Sequence, residues 1–171
     1  MKSIIKTLCG IIFFVLLIFI ISCQKSNYIN DMKPLIDAYV KVWNTGDVDS
    51  LDQLTVPLFE LRMPPKFTAV IGRDSLKKEI LETRKTYPDF FITIEDELIK
   101  CNNGLAASWT ITATNTGPGS FPPTGRQVTS HGFSVITFSE GKISGEWIAY
   151  SDLDWITQLE FTVAPPQNIG Q

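Results

Sequence analysis

Few side chains in this sequence of 171 residues are placed to do chemistry. His131 is the only histidine and the carboxylates lack the spacing of a ligand motif, so we expect no bound metal. Cys101 has only Lys100 as a basic neighbour to activate its thiol and is interpreted as a buried structural cysteine. Asp152 and Asp154 begin a predicted C-terminal helical turn, where carboxylates cap free N–H groups and interact with the helix dipole. On residue types alone, these groups indicate structural roles.

Aromatic side chains could instead line a pocket for a small molecule. Trp109 and Trp147 fall on predicted strands, and Tyr39 and Trp43 fall on the first predicted helix. Aromatic and branched residues at alternating positions are equally typical of a sheet core, so both interpretations stay open. For Trp147 we favour a shared role, in which one edge of its ring packs in the sheet core and the other edge lines the pocket.

The N-terminus has the layout of an export signal. Two lysines precede the apolar run Leu8–Ile21, whose 14 residues are fewer than the roughly 20 that a membrane-spanning helix needs. Ser22-Cys23 then resembles a bacterial lipobox, in which the cysteine becomes the lipidated first residue of the mature protein. The alternative is an ordinary signal whose cleavage leaves a free cysteine. We expect residues 1–22 to be a lipoprotein signal peptide and acyl chains on Cys23 to hold the protein at a membrane.

The composition is that of one globular domain. The chain is 44% hydrophobic and 19% charged, and its glycines and prolines are scattered, which excludes disordered, collagen-like and coiled-coil proteins. Its net charge is −3, and no cluster of lysine and arginine is present to neutralise phosphates, so nucleic-acid binding is disfavoured. We assign residues 23–30 to a tether, 31–160 to the domain and 161–171 to a flexible tail.

Apolar periodicity predicts helices first and then strands. A spacing of three and four indicates helices that begin near Pro34, Val48 and Ser75. From about residue 90 the spacing drops to two, and turns at Asn103-Gly104 and Glu140-Gly141 predict antiparallel hairpins. This order indicates an α+β architecture in which helices cover one face of a sheet and leave a cavity between.

The second hairpin should place its side chains in a definite way. The strand Arg126–Ser139 is long enough that it should bend, and Gly132 is where bending costs least, so we expect a strongly curved sheet. With the hairpin folded at its predicted turn, His131 is expected to share a face with Glu146, opposite to Trp147.

Six short motifs, taken in order along the chain, resemble the SnoaL-like polyketide and ester cyclase family. Each motif alone is weak, but together they span nearly the whole predicted mature domain. The motifs are Trp43-Asn44-Thr45-Gly46-Asp47, Tyr87-Pro88-Asp89, Pro122-Pro123-Thr124-Gly125-Arg126, Gly141-Lys142-Ile143, Glu146-Trp147 and Gln158-Leu159. The resemblance implies the cone-shaped fold of nuclear transport factor 2-like proteins, with three N-terminal helices packed on a strongly curved antiparallel sheet.

The resemblance also implies an activity. Polyketide cyclases of this family close a ring by intramolecular aldol condensation, without a metal or organic cofactor. An aspartate takes a proton next to a carbonyl, and the enolate attacks a second carbonyl of the same molecule. That chemistry needs a carboxylate partly desolvated in an apolar pocket and a donor for the enolate oxygen. We therefore expect no cofactor and a small carbonyl-containing or polycyclic ligand.

The sequence departs from the family pattern at the positions that would do this chemistry. Ser151 stands where the family usually carries its aspartate, and Asn115 replaces a loop histidine. A serine hydroxyl needs its own activator, so Asp152 or Asp154 becomes the candidate base and Asn115 the candidate oxygen donor. Glu146 stands where many members show histidine.

These observations leave two main functions open. The first is a cofactor-free cyclase-type enzyme, and the second is a non-catalytic envelope lipoprotein that binds a small hydrophobic molecule. A homodimeric interaction module is a third interpretation, because curved sheets of this family often pair face to face. The expected location is the bacterial cell envelope, through lipidated Cys23. The expected ligand contacts are Trp109, Asn115, Trp147, Ser151, Tyr39 and Trp43.

Overall fold

The structure, a computed structural model, describes residues 28–64, 68–95, 97–162 and 164. The predicted signal peptide, Cys23 and residues 24–27 lie outside the described residues, as does most of the predicted tail. Residues 28–30, which the sequence assigned to the tether, are helical. No helix in the described part of the chain is long and apolar enough to cross a membrane.

The described residues contain four α-helices. Helix α1 comprises residues 28–45, α2 is Leu51–Leu54 after a 3-10 turn at Val48–Ser50, α3 is Arg73–Thr86 and α4 is Asp152–Gln158. Helix α1 buries one face, because apolar residues recur at spacings of three and four. Gly46 ends α1 in a left-handed conformation (φ 77°), and its N–H bonds to the carbonyl of Val42 at 2.8 Å.

The strands form one mixed sheet in the order β2-β1-β7-β6-β5-β3, with β4 also paired to β5. They are β1 Thr55–Arg62, β2 Val70–Ile71, β3 Phe91–Ile94, β4 Ile99–Lys100, β5 Gly104–Thr114, β6 Gln127–Ser139 and β7 Lys142–Tyr150. Strand β1 runs parallel to β7, which corrects the expected antiparallel sheet. Parallel neighbours are joined by long connections rather than by a turn, so nothing local in the sequence signals them.

The arrangement of the helices also differs from the expected three N-terminal helices followed by a sheet. Strands β1 and β2 lie between α2 and α3, whereas α4, after the last strand, confirms the predicted C-terminal helical turn. The fold is therefore α+β, with a curled mixed sheet and helices contributed from both ends of the described chain.

A β-bulge interrupts the β6–β7 hairpin. Phe138 pairs with Ile143, but Thr137 pairs with Gly145, so Ser144 is an extra residue on β7. Because side chains alternate along a strand, one extra residue turns every following side chain to the other face of the sheet.

This bulge decides which side of β7 faces the helices. Ile136 lies opposite Glu146, and Val135 lies opposite Trp147. Glu146 therefore shares the inner face with the buried Ile136, whereas Trp147 shares the outer face with the exposed His131. The prediction that His131 and Glu146 share a face was wrong, because the expected register allowed for no bulge.

Gly132 on β6 lies against the indole of Trp109, its partner on β5. A Cβ at Gly132 would come within 2.1 Å of that ring, so only glycine leaves room for it. The buried Trp109 can therefore lie over the β6 backbone on the concave face of the sheet.

Candidate functional site

A cavity of about 600 Å³ lies between the inner face of the sheet and helices α1, α3 and α4. Cavities of this size and character are typical of small-molecule sites. The wall is mainly apolar and aromatic, with contributions from Trp43, Phe90, Trp109, Ile136, Ile148 and Trp155.

One carboxyl group, that of Glu146, lies in this apolar wall. The residue is only 7% exposed. The Tyr39 hydroxyl donates to Glu146 Oε2 at 2.8 Å, and the Ser134 hydroxyl donates to Glu146 Oε1 at 2.7 Å. The carboxyl group is thus buried but hydrogen-bonded on both oxygens, which offsets part of the cost of removing it from water.

Trp109 fixes the direction of one of these bonds. Its indole N–H can only donate, and Trp109 Nε1 lies 2.9 Å from Ser134 Oγ. Ser134 accepts that bond and directs its own proton to Oε1 of Glu146. The Tyr39 hydroxyl likewise receives a hydrogen bond from the Trp43 side chain, so each oxygen of the Glu146 carboxyl group accepts a hydroxyl proton.

The surroundings of Glu146 suit proton transfer. Burial raises the pKa of Glu146, because the charged form loses its water, while the Ser134 and Tyr39 hydroxyls oppose that shift. Burial also raises the pKa of Tyr39, and the charge of Glu146 adds to this, so Tyr39 remains a donor. A carboxylate whose pKa is raised is a stronger base than one in water.

The cavity opens beside three further carboxylates. Glu79 and Glu82 on α3 and Asp152 on α4 line it, and the exposed Glu82 marks the side that meets solvent. Burial raises the pKa of Glu79, and the charge of Glu82 raises it further. Burial also raises the pKa of Tyr150, with added contributions from Asp152 and Glu79, so these carboxylates lie near its hydroxyl. Over the residues described, no three His, Cys, Asp or Glu side chains gather where they could hold a metal ion.

Four of the predicted site residues line the cavity: Tyr39, Trp43, Trp109 and Asp152. Trp43 packs against Phe90 with ring centroids 5.9 Å apart. Asp152 reaches the mouth because α4 begins directly after β7.

Trp147 lies outside the cavity. It is 53% exposed on the outer face of the sheet, with the Arg62 guanidinium 5.2 Å from its ring centroid. Its expected position in the pocket wall depended on the register that the bulge at Ser144 changes.

Asn115 is fully buried but does not line the cavity. Its Oδ1 accepts the N–H of Thr124 at 2.8 Å, and its backbone N–H donates to the carbonyl of Arg126 at 2.9 Å. Its Nδ2 has no hydrogen-bond partner among the described residues. The structure therefore places Asn115 at the base of the loop between β5 and β6, rather than beside a cavity ligand.

Ser151 and Asp154 form the start of α4 and do not line the cavity. The Ser151 hydroxyl accepts the N–H of Asp154 at 3.1 Å, which is an N-cap bond. The Asp154 carboxylate accepts from Gln158 Nε2 at 2.9 Å, one turn further along the helix. Both residues thus take part in helix capping and in a bond within the helix.

The sequence reasoning gave Glu146 no role, although it noted the residue. The signal that could have revealed it is Gly145, because glycine inside a strand often marks a bulge. A bulge at this point turns Glu146 inward and leaves a carboxyl group among apolar side chains.

The curled mixed sheet, the helices packed on it and the cavity between them define a nuclear transport factor 2-like protein. The family model described as SnoaL-like polyketide cyclase matches residues 33–159, well over half of the chain. The chain therefore belongs to the SnoaL-like polyketide cyclase family, which confirms the resemblance seen in the sequence. No curated protein matches it with significant similarity.

Solved structures share the fold at low sequence identity. TsrD from Streptomyces laurentii is 21% identical with a TM-score of 0.67, over 76% of this chain and 95% of TsrD. IdmH from Streptomyces antibioticus, a proposed polyketide cyclase, is 20% identical with a TM-score of 0.65, over 75% and 98% of the two chains. AclR from Streptomyces galilaeus, a proposed hydroxylase, is 21% identical with a TM-score of 0.66, over 82% and 88%. One fold thus carries different proposed activities, so function must be argued from the site.

Proposed function

We propose that the cavity binds a small apolar carbonyl compound and that Glu146 moves a proton next to the carbonyl without a cofactor. The observation that supports this most strongly is the position of Glu146, a buried carboxyl group among the apolar and aromatic side chains of the cavity wall. Membership of a cyclase family is consistent with the proposal.

The proposed reaction is an intramolecular aldol closure. The Glu146 carboxylate takes a proton from the carbon next to a carbonyl, and the electron pair of that C–H bond forms the enolate, whose charge lies mainly on the carbonyl oxygen. The enolate carbon attacks a second carbonyl, a C–C bond forms, and the new alkoxide takes the proton back. Tyr150 also lines the cavity, and its hydroxyl, which is hydrogen-bonded to Asp152, is the candidate donor for the enolate oxygen if it turns from that carboxylate to the ligand.

Asp152 remains the second candidate base, because it lines the mouth of the same cavity and is half-buried. Asp154 is not proposed as a base, because it is exposed and does not line the cavity.

Deuterium exchange tests this proposal. The probe is 2-tetralone, an apolar ketone with an acidic C–H bond next to its carbonyl, followed by NMR in deuterium oxide with the full-length chain. We expect the chain to accelerate exchange, Glu146→Gln to lower the acceleration by about 100-fold and Asp152→Asn to lower it less. Asp154→Asn is the matched control and should leave it unchanged. Full acceleration in Glu146→Gln would contradict the role of Glu146, and loss in Asp152→Asn alone would assign the base to Asp152.

We also propose that the mature protein is an envelope lipoprotein anchored through Cys23. The sequence Ser22-Cys23 after an apolar run supports this. Metabolic labelling with a radioactive fatty acid should mark the full-length chain and fail to mark Cys23→Ser. Cys101→Ser is the matched control and should remain labelled, whereas labelled Cys23→Ser would contradict the proposal.

A non-catalytic, dimeric binding module is the alternative, and the outer face of the sheet favours a second copy of the chain as partner. Phe91, Phe133 and Trp147 are exposed on this face by 51%, 40% and 53%. Sedimentation velocity should show a dimer that Trp147→Asp dissociates. Leu153→Asp, at an exposed leucine on α4, is the control and should leave the dimer intact. A monomeric parent chain would contradict the proposed dimeric binding module.

A further inference from the structure

We propose that the carbonyl compound bound in this cavity is an amphipathic cation: its apolar ring system also carries a protonated amine. This inference rests on the ligand binding proposed above and adds the sign of the ligand's charge.

The apolar part of the ligand is matched by the cavity wall. Trp43, Phe90 and Trp109 line it, together with Tyr87 and Trp155 near α4. The Trp155 indole donates to the Tyr87 hydroxyl at 2.9 Å, and the two rings meet edge to face with centroids 5.3 Å apart. Rings held in this way bury a flat apolar body, and their faces also attract a cation.

The charged part of the ligand is matched by the carboxylates. Glu79, Glu82 and Asp152 line the mouth, Glu146 lies further inside, and no lysine, arginine or histidine is among the described residues that line the cavity. An anionic ligand would therefore meet carboxylates of like charge without a counter-ion, whereas an ammonium group would be attracted.

These carboxylates are poorly neutralised by the protein itself. Glu79 and Asp152 form no salt bridge with any residue of the described ranges, and Glu82 has only Lys85, at 3.6 Å on the exposed surface of α3. The mutual repulsion of Glu79 and Glu82 is part of what raises the pKa of Glu79. A bound cation would relieve that repulsion.

Three ligands with one common ring test the charge preference. Isothermal titration of the full-length chain would use naphthylmethylamine, naphthylmethanol and naphthoate, which differ mainly in charge. We expect the ammonium compound to bind about tenfold more tightly than the alcohol, and naphthoate to bind more weakly than the alcohol. In the double variant Glu79→Gln, Glu82→Gln, the Kd of the ammonium compound should rise close to that of the alcohol. The Kd of the alcohol should not change.

Glu140→Gln, at an exposed glutamate in the β6–β7 turn, removes one negative charge away from the cavity and should change none of the three affinities. Equal binding of the amine and the alcohol, or tightest binding of naphthoate, would overturn this inference while leaving the proposed ligand binding intact. Failure of all three compounds to bind would count against the proposed function itself, and this inference would fall with it.

Discussion

The Tyr39 hydroxyl donates a hydrogen bond to Oε2 of Glu146 at 2.8 Å, although the two residues are 107 positions apart in the sequence. The bond joins α1 to β7 in the wall of the cavity. Both groups are buried, so the bond serves the fold and also keeps a hydrogen-bond donor on the carboxyl group proposed as the base. The same pair therefore links stability to the proposed chemistry.

Removing the Tyr39 hydroxyl should destabilise the protein. Tyr39→Phe leaves Glu146 Oε2 buried without its donor, so we expect the free energy of unfolding to fall by about 1–3 kcal/mol. Urea denaturation measures this. Tyr28→Phe, at a half-buried tyrosine whose ring meets Phe138 edge to face, is the matched control and should change stability by less than about 0.5 kcal/mol. Equal effects of the two substitutions would contradict a special role for the Tyr39 hydroxyl.

The stability of the protein should depend on pH through Glu146. The pKa of Glu146 is raised in the folded chain above the usual value of 4.5 that applies to the unfolded chain. At a pH between the unfolded and the folded pKa, the folded chain therefore binds more protons than the unfolded chain. The stabilisation is complete below the unfolded pKa and is lost as the pH rises through the folded pKa. Glu146→Gln lacks this titration, so its stability should decline less over the same range.

Urea midpoints of the parent chain and Glu146→Gln, taken from about pH 4 to about pH 8, measure that difference. Glu140→Gln should follow the parent chain, because its side chain is exposed at the β6–β7 turn. A constant difference between parent and Glu146→Gln at every pH would show that the pKa of Glu146 is the same in both states.

Gly132 and Trp109 should be energetically coupled. Gly132→Ala places a methyl group where the Trp109 ring lies, and overpacking of this kind costs about 1–3 kcal/mol. In a double-mutant cycle, Trp109→Phe should make Gly132→Ala less costly, because the smaller ring leaves room. Additive changes in the free energy of unfolding would contradict this coupling between positions 132 and 109.

Measurements of ligand affinity should distinguish Trp109 from Trp147, both of which the sequence predicted to contact the ligand. Trp109→Ala removes a cavity wall and should weaken binding of naphthylmethanol by about tenfold or more. Trp147→Ala, on the outer face, should change the affinity by less than about twofold. Isothermal titration measures both, and a larger loss in Trp147→Ala would place the ligand elsewhere.

The sequence predicted the family and the α+β class because those depend on local patterns. The apolar spacing of α1 and the turn at Glu140-Gly141 can be recognised without tertiary structure, and the fold contains both the helix and the turn. The parallel pairing of β1 with β7 was missed, because it depends on contacts between distant segments. Tyr39, Trp43, Trp109 and Asp152 were placed in a pocket from the sequence, and the structure brings all four to one cavity.

The residues of the site were harder to predict, because a single extra residue in β7 determines which side chains face the cavity. The extra Ser144 turns Glu146 inward and Trp147 outward, and a shift of one residue exchanges the two faces of a strand. Asn115 lies outside this cavity, at the base of a loop, and the sequence does not distinguish a polar residue that holds a loop from one that contacts a ligand.

NMR of the Glu146 carboxyl group can show whether that group is desolvated and in contact with a ligand in the cavity. The full-length chain would carry carbon-13 at the glutamate carboxyl position, with Glu146→Gln used to assign the signal. We predict that the Glu146 signal titrates above the usual 4.5 and shifts when 2-tetralone is added. Titration at the usual value, with no response to 2-tetralone, would show that Glu146 is neither desolvated nor in contact with the ligand.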